Sequence, residues 1–143
     1  MNKESGNRAV GVLTIRLLSG FIFLMQGIGK VFKWGVYNVY QMEFFHGTYE
    51  DLLPDFLILG TAYYTSYMEL IGGVLLVIGL KRDWALYGLA SVLVVVTFGH
   101  GLAQPIWDMS QVMYRAILLV SLLLLPKQWD IFALDNVLFK NNK

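Results

Sequence analysis

Three ionisable side chains, Arg16, Glu69 and Arg115, stand inside long apolar stretches where a charge needs a partner or a purpose. A central Arg or Asp costs about 2.5–3.5 kcal/mol on membrane-insertion scales. Counting the helical rise of about 1.5 Å per residue from one end of each stretch puts Glu69 at about 16 Å, Arg115 at about 15 Å and Arg16 at roughly 10 Å. A long arginine side chain closes most of that gap, so an Arg16–Glu69–Arg115 cluster is the expectation. Two roles suit it. It is either an ion network bracing helices, as polar contacts often do between membrane helices, or the floor of a site for a charged or redox-active ligand. The net +1 of the trio suits an anionic headgroup or a developing quinol anion. A second group falls higher, at about 24–26 Å by the same count. It comprises Gln26, Tyr63 or Tyr64, and His100, with Lys30 above and Trp107 nearby. A His with Tyr and Gln near the hydrocarbon edge is suited to a quinone ring, the His bonding a carbonyl oxygen and the aromatics packing the faces. The same residue types also anchor proteins in the headgroup layer.

The elements that must position these residues are four apolar spans, at about 9–28, 61–80, 84–102 and 109–125, each close to the ~20 residues a bilayer core requires. The composition agrees: 57% of the 143 residues are hydrophobic and 15% charged, too apolar for a water-soluble domain of this size to hide. Arg16, Gly20, Gly27 and Lys30 fall along one stripe of the first span. Glu69, Gly72 and Gly73 share a stripe of the second with Ala62, Thr65 and Ser66. Small residues let membrane helices approach closely, so Gly20, Gly27, Gly72 and Gly73 are expected at helix–helix contacts. Asp108, Gln111 and Arg115 share a face of the fourth. The first span resembles a signal peptide in position, but Arg16 and the absence of a small-residue cleavage site predict a retained helix.

Lys3, Arg8, Lys81, Arg82, Lys127, Lys140 and Lys143 fall on one side of the expected bundle, and Lys30 and Lys33 on the other. That asymmetry predicts both termini in the cytoplasm. The connection between the first two spans, containing VFKWGVYNVYQMEFF at 31–45, mixes aromatic and polar residues as an interfacial helix does. TYED at 48–51 is placed to cap a short helix before Pro54. The expected fold class is therefore all-α: one integral membrane four-helix bundle over 1–143, with a half-buried helical segment over its outer end.

No cysteine is present, which removes dithiol chemistry, disulfides and thiolate-held clusters. With two histidines, no metal site is expected. A net charge of +1 gives no footprint for nucleic acid.

The stretches RLLSGFIFLMQGIGKVF, YMELIGGVLLVIGLKRDWALYGLA and YRAILLVSLLLL, in this order and spacing, resemble the DoxX/DoxD family of small four-helix membrane proteins. Arg16, Gly27, Lys30, Glu69 and Gly73 fall on that family's motif positions. The resemblance implies a bacterial inner-membrane protein. Its archaeal DoxD members are subunits of a thiosulfate:quinone oxidoreductase, and a mycobacterial relative is linked to a membrane redox-stress complex. Three functions follow as expectations. One is an accessory subunit docked on a larger membrane or envelope complex. Another is a quinone-interacting oxidoreductase subunit that passes electrons from a partner to the quinone pool. A small transporter is the third, with little support from a chain lacking visible repeats. In none of them is the chain an enzyme by itself, and quinone is the single cofactor implied.

Overall fold

The computed structural model describes residues 3–104 and 110–139, and every described element is helical. In chain order these are α1 (Lys3–Ile28), α2 (Val36–Gln41), α3 (Asp55–Ile78), α4 (Arg82–Ala103), α5 (Ser110–Leu124) and α6 (Leu134–Phe139). α1 continues without a break into wider π-helical turns over Gly29–Trp34, and a second such turn covers Glu43–Gly47. α1 with its extension, α3 and α4 are each long and apolar enough to cross a membrane. The described apolar part of α5, Val112–Leu124, is shorter. The expected start of the fourth span at Met109, together with Trp107 and Asp108, lies outside the described residues, as does the Gln111 side chain.

α1 packs on α3, α3 on α4, α4 on α5, and α5 back on α1. The enclosed core is almost wholly aliphatic, with Val12, Phe23, Leu76, Leu86, Leu89 and Leu119 nearly inaccessible. The outward faces are apolar too, as Val10, Phe21, Ile71, Val94 and Leu124 show. A helix that is hydrophobic on all sides belongs in lipid, so this is a membrane protein whose outer surface contacts the bilayer.

Glycines set the closeness of α1 and α3. A Cβ on Gly27 would collide with the Leu70 backbone, and one on Gly73 with the backbone of Leu24. On Gly20 it would lie 3.0 Å from the Val77 amide nitrogen. Gly72 faces α4 instead, where a Cβ would come within 2.7 Å of the Leu89 side chain. With no hydrophobic drive between helices inside lipid, this contact between backbones supplies the association. Gly27→Ala is therefore expected to push α1 off α3 and lower stability by about 1–3 kcal/mol. Gly11, whose Cβ would meet nothing within 4 Å, is the matched control. Equal melting temperatures for Gly27→Ala and Gly11→Ala in detergent would contradict this account.

The α3–α4 turn is stopped by Gly79, whose φ of 72° lies in the left-handed region. The Leu80 amide returns to the Leu75 carbonyl at 2.9 Å, closing the helix end as glycine caps do. Lys81 is also left-handed, at φ 47°. The carboxylate of Asp135 holds it there, accepting the Lys81 and Arg82 amides at 3.0 and 3.2 Å. The segment after α5 thus caps the start of α4 from outside.

At the opposite end, the α1–α3 connection folds back onto the first half of α3. Tyr40, Ile58 and Ala62 form a small core with Phe45, Tyr49 and Leu53 around it. Charged side chains tie this segment down. Tyr40 donates a short hydrogen bond to Asp55, and His46 Nε2 lies 3.1 Å from the same carboxylate. His46 Nδ1 lies 3.3 Å from Glu50.

Candidate functional site

Beneath that connection lies a cavity of about 660 Å³. Its charged floor comes from three helices. Lys30 Nζ, in the π-helical extension of α1, meets Glu69 Oε2 of α3 at 2.7 Å. Arg115 of α5 donates from Nη1 to Gln26 Oε1 of α1 at 3.2 Å. The Glu69 side chain is 3% exposed and that of Lys30 is 20% exposed, so the acid is sealed while the lysine keeps access to the rim. Lys30 is the cation that compensates the Glu69 carboxylate, and both side chains line the cavity.

Phe44, Phe45 and Tyr49 of the connection line the cavity's cover, with Trp34 beside them. Tyr49 reaches α4, where a Cβ on Gly99 would lie 3.3 Å from its hydroxyl. Burial pushes the Tyr49 hydroxyl pKa above its ordinary value. His100 lines the α4 wall. Its Nδ1 donates to the Val96 carbonyl at 2.9 Å, which leaves Nε2 the acceptor in the neutral ring.

The hydrogen bond to Asp55 pushes the Tyr40 pKa from 10.0 up to about 12. Because the folded value is raised, the stabilisation from this contact is complete below about pH 10 and is lost as pH climbs through about 12. Following tyrosinate absorbance should show one phenol ionising near that upper value, and Asp55→Asn should return it to the ordinary range. An unchanged titration in that variant would rule out the Asp55 contact as the cause.

The two groups separated by height in the sequence meet in one cavity. Gln26, Lys30 and His100 of the upper group share it with Glu69 and Arg115 of the lower one. Arg16 is a correction: it does not join Glu69. It lies at the turn end of the bundle, 2% exposed, with Nε 3.2 Å from Asp130 and Nη1 donating to the Leu76 and Val77 carbonyls at 2.6 and 2.8 Å. The reason is helix register. α1 runs antiparallel to α3 with Gly20 against Val77, Leu24 against Gly73 and Gly27 against Leu70, so Arg16 stands beside the end of α3, about 18 Å along the bundle from Glu69 at the helical rise. Its side chain, tilted toward the start of α1, points further away still. Tyr63 and Tyr64 are a second correction, as neither lines the cavity. Both are about two-fifths exposed; Tyr64 bonds Ser91 Oγ at 2.5 Å, and Tyr63 stacks on Tyr67. Five and six residues before Glu69, they project from the other side of α3. Among the described residues, no three His, Asp or Glu side chains are grouped to hold a metal.

The DoxX family model matches residues 11–101, more than half of the chain. The chain belongs to the DoxX family. No curated protein and no solved structure matches it. The DoxX match covers α3 and the body of α1, the aromatic connection and nearly all of α4, and therefore Gln26, Lys30, Glu69 and His100. Within it, Gly27, Lys30, Glu69 and Gly73 all lie along the α1–α3 contact that floors the cavity. Arg115 and Asp130 lie past the end of the DoxX match. The role of Asp130 is invisible in the sequence: it follows the last apolar span beside Trp129, where an acid reads as surface.

Proposed function

We propose that this protein is a bacterial inner-membrane subunit that binds a quinone-class headgroup and works within a larger redox complex. In this reading four helices span the membrane, both termini are cytoplasmic and the cavity opens at the outer leaflet. The observation that carries the reading is the cavity floor, where Glu69, Lys30, Gln26 and Arg115 converge under an aromatic cover. Cationic donors suit the carbonyl oxygens of a quinone, and the acceptor on Glu69 suits the hydroxyl of a quinol. Ligand sites of this size are mostly apolar with a few convergent polar groups. Reduction of a quinone to a quinol takes up two electrons and two protons. A partner subunit supplies the electrons here, and the chain's own residues bind, orient and exclude water. The turn end carries Lys81, Arg82 and Lys127 near the start of α1, which supports its placement in the cytoplasm.

The test is titration of the purified protein in detergent with a tail-free dimethoxy-methyl-benzoquinone, followed by tryptophan fluorescence, since Trp34 lines the cavity. Saturable quenching is expected. Quenching that rises linearly without saturation, as collisional encounter gives, would sink the reading.

A further inference from the structure

Between α4 and α5 lies a second depression of about 440 Å³, lined by Leu93, Val94, Val112, Ala116, Leu119 and neighbours. Its one polar side chain among the lining residues, Thr97, turns its hydroxyl onto the Leu93 carbonyl at 2.7 Å. Among the described lining residues, no side chain is left to bond a polar ligand. From Ala90 to Phe98 it follows α4 for about 12 Å at the helical rise.

The groove and the polar cavity are back to back. Phe98 lines both. On α4, Val95, Val96 and Gly99 face the cavity while Val94 and Thr97 face the groove. On α5, Arg115 belongs to the cavity and its neighbours Val112 and Ala116 to the groove. Phe98 is 68% exposed, so its ring stands at the boundary with no close packing to hold it there.

We infer that the α4–α5 groove is a tail site: it receives the isoprenoid tail of the quinone whose headgroup occupies the cavity, with Phe98 as the doorway between them. This rests on the quinone reading above. A long-tailed lipid must leave a buried head site somewhere, and the groove is apolar and adjoins the cavity at their shared lining residue, Phe98. The occupant is therefore the tail of the same molecule.

The experiment compares the tail-free benzoquinone with its decyl-tailed analogue in the quenching assay, using wild type, Ala116→Phe and Val94→Trp. Ala116 is half-buried, and its enlargement fills the groove. Val94 is 69% exposed, so enlarging it narrows the groove while leaving the bundle core untouched. Both variants should weaken the decyl compound by about tenfold, the equivalent of burying roughly two fewer methylenes, and leave the tail-free compound unchanged. If tail-free binding saturates but neither variant alters decyl binding, the tail site is wrong and the headgroup reading stands. A groove permanently filled by a membrane-lipid chain gives that same result and equally overturns the assignment. If the tail-free compound itself fails to saturate wild type, the headgroup reading is what has failed.

Discussion

Asp130→Ala is expected to lower the stability of the bundle by about 3–5 kcal/mol, the range for removing one partner of a buried ion pair. Asp130 is 1% exposed and sits between Arg16 and Arg82, themselves 2% and 4% exposed. Its oxygens lie 3.2 Å from Arg16 Nε and 3.7 Å from Arg82 Nη1. Each arginine also finishes a helix. Arg16 binds the last carbonyls of α3, and Arg82 donates to the carbonyls of Leu122 and Leu125 that end α5. One carboxylate therefore compensates two guanidiniums that tie α1, α3, α4 and α5 together. Without it both charges stay buried, because neither reaches water from its helix-capping position. Thermal unfolding in detergent, followed by helical circular dichroism, measures the loss. The contrast is Asp83→Ala, which removes a partner of the exposed Lys127 and should change stability by no more than about 1 kcal/mol. Similar shifts for the two variants would mean that the buried network is not what holds this end closed.

Glu69→Gln is expected to weaken headgroup binding by roughly 100-fold while changing stability by no more than about 1 kcal/mol. The two acids differ in what they leave behind. Glu69 pairs with Lys30, which is 20% exposed at the rim and has a flexible stem that can carry its ammonium toward water. Arg115 keeps its hydrogen bond to Gln26 in the variant. Neutralising Glu69 therefore strands no buried cation, but it weakens the acceptor that meets a ligand hydroxyl. Quenching titrations and melting curves on the same preparation separate the outcomes. A variant that unfolds would make Glu69 a brace for α1 and α3. A variant that folds and binds as wild type does would leave the acid without a role in the site.

Much of the architecture is present in the residues taken one span at a time. Apolar length shows the membrane helices, and the spacing of Gly20, Gly27 and Gly73 shows which faces of α1 and α3 are bare enough to touch. The order of the motifs shows the DoxX family. These properties are local: each depends on one helix and its environment, so periodicity and composition are enough to reveal them. Candidate site residues were legible as types, since an acid, a lysine, an amide and an arginine in apolar surroundings are conspicuous.

Which of them meet was decided by tertiary structure alone. A height counted from the end of one apolar stretch says nothing of how far α1 slides along α3, which the meeting of Gly20, Gly27 and Gly73 with the facing backbone sets, and a long side chain adds a direction given by the sense of its own helix. Glu69 and Arg115 stand on helices that begin at the cavity end, so both point toward it. Lys30 stands at the far end of α1 and points back down to the same place, while Arg16, on the same helix, points away to the other end. Register and direction together join Lys30 to Glu69 and send Arg16 to Asp130. The aromatic cover was equally hidden, because Phe44, Phe45 and Tyr49 acquire their places only when the connection folds back over α3. The sequence by itself determined a DoxX membrane protein with polar groups buried among its helices. The antiparallel packing of those helices decided that the groups form two separate centres, a charged staple at the turn end and a covered cavity at the other, because contact between distant residues depends on direction as well as spacing.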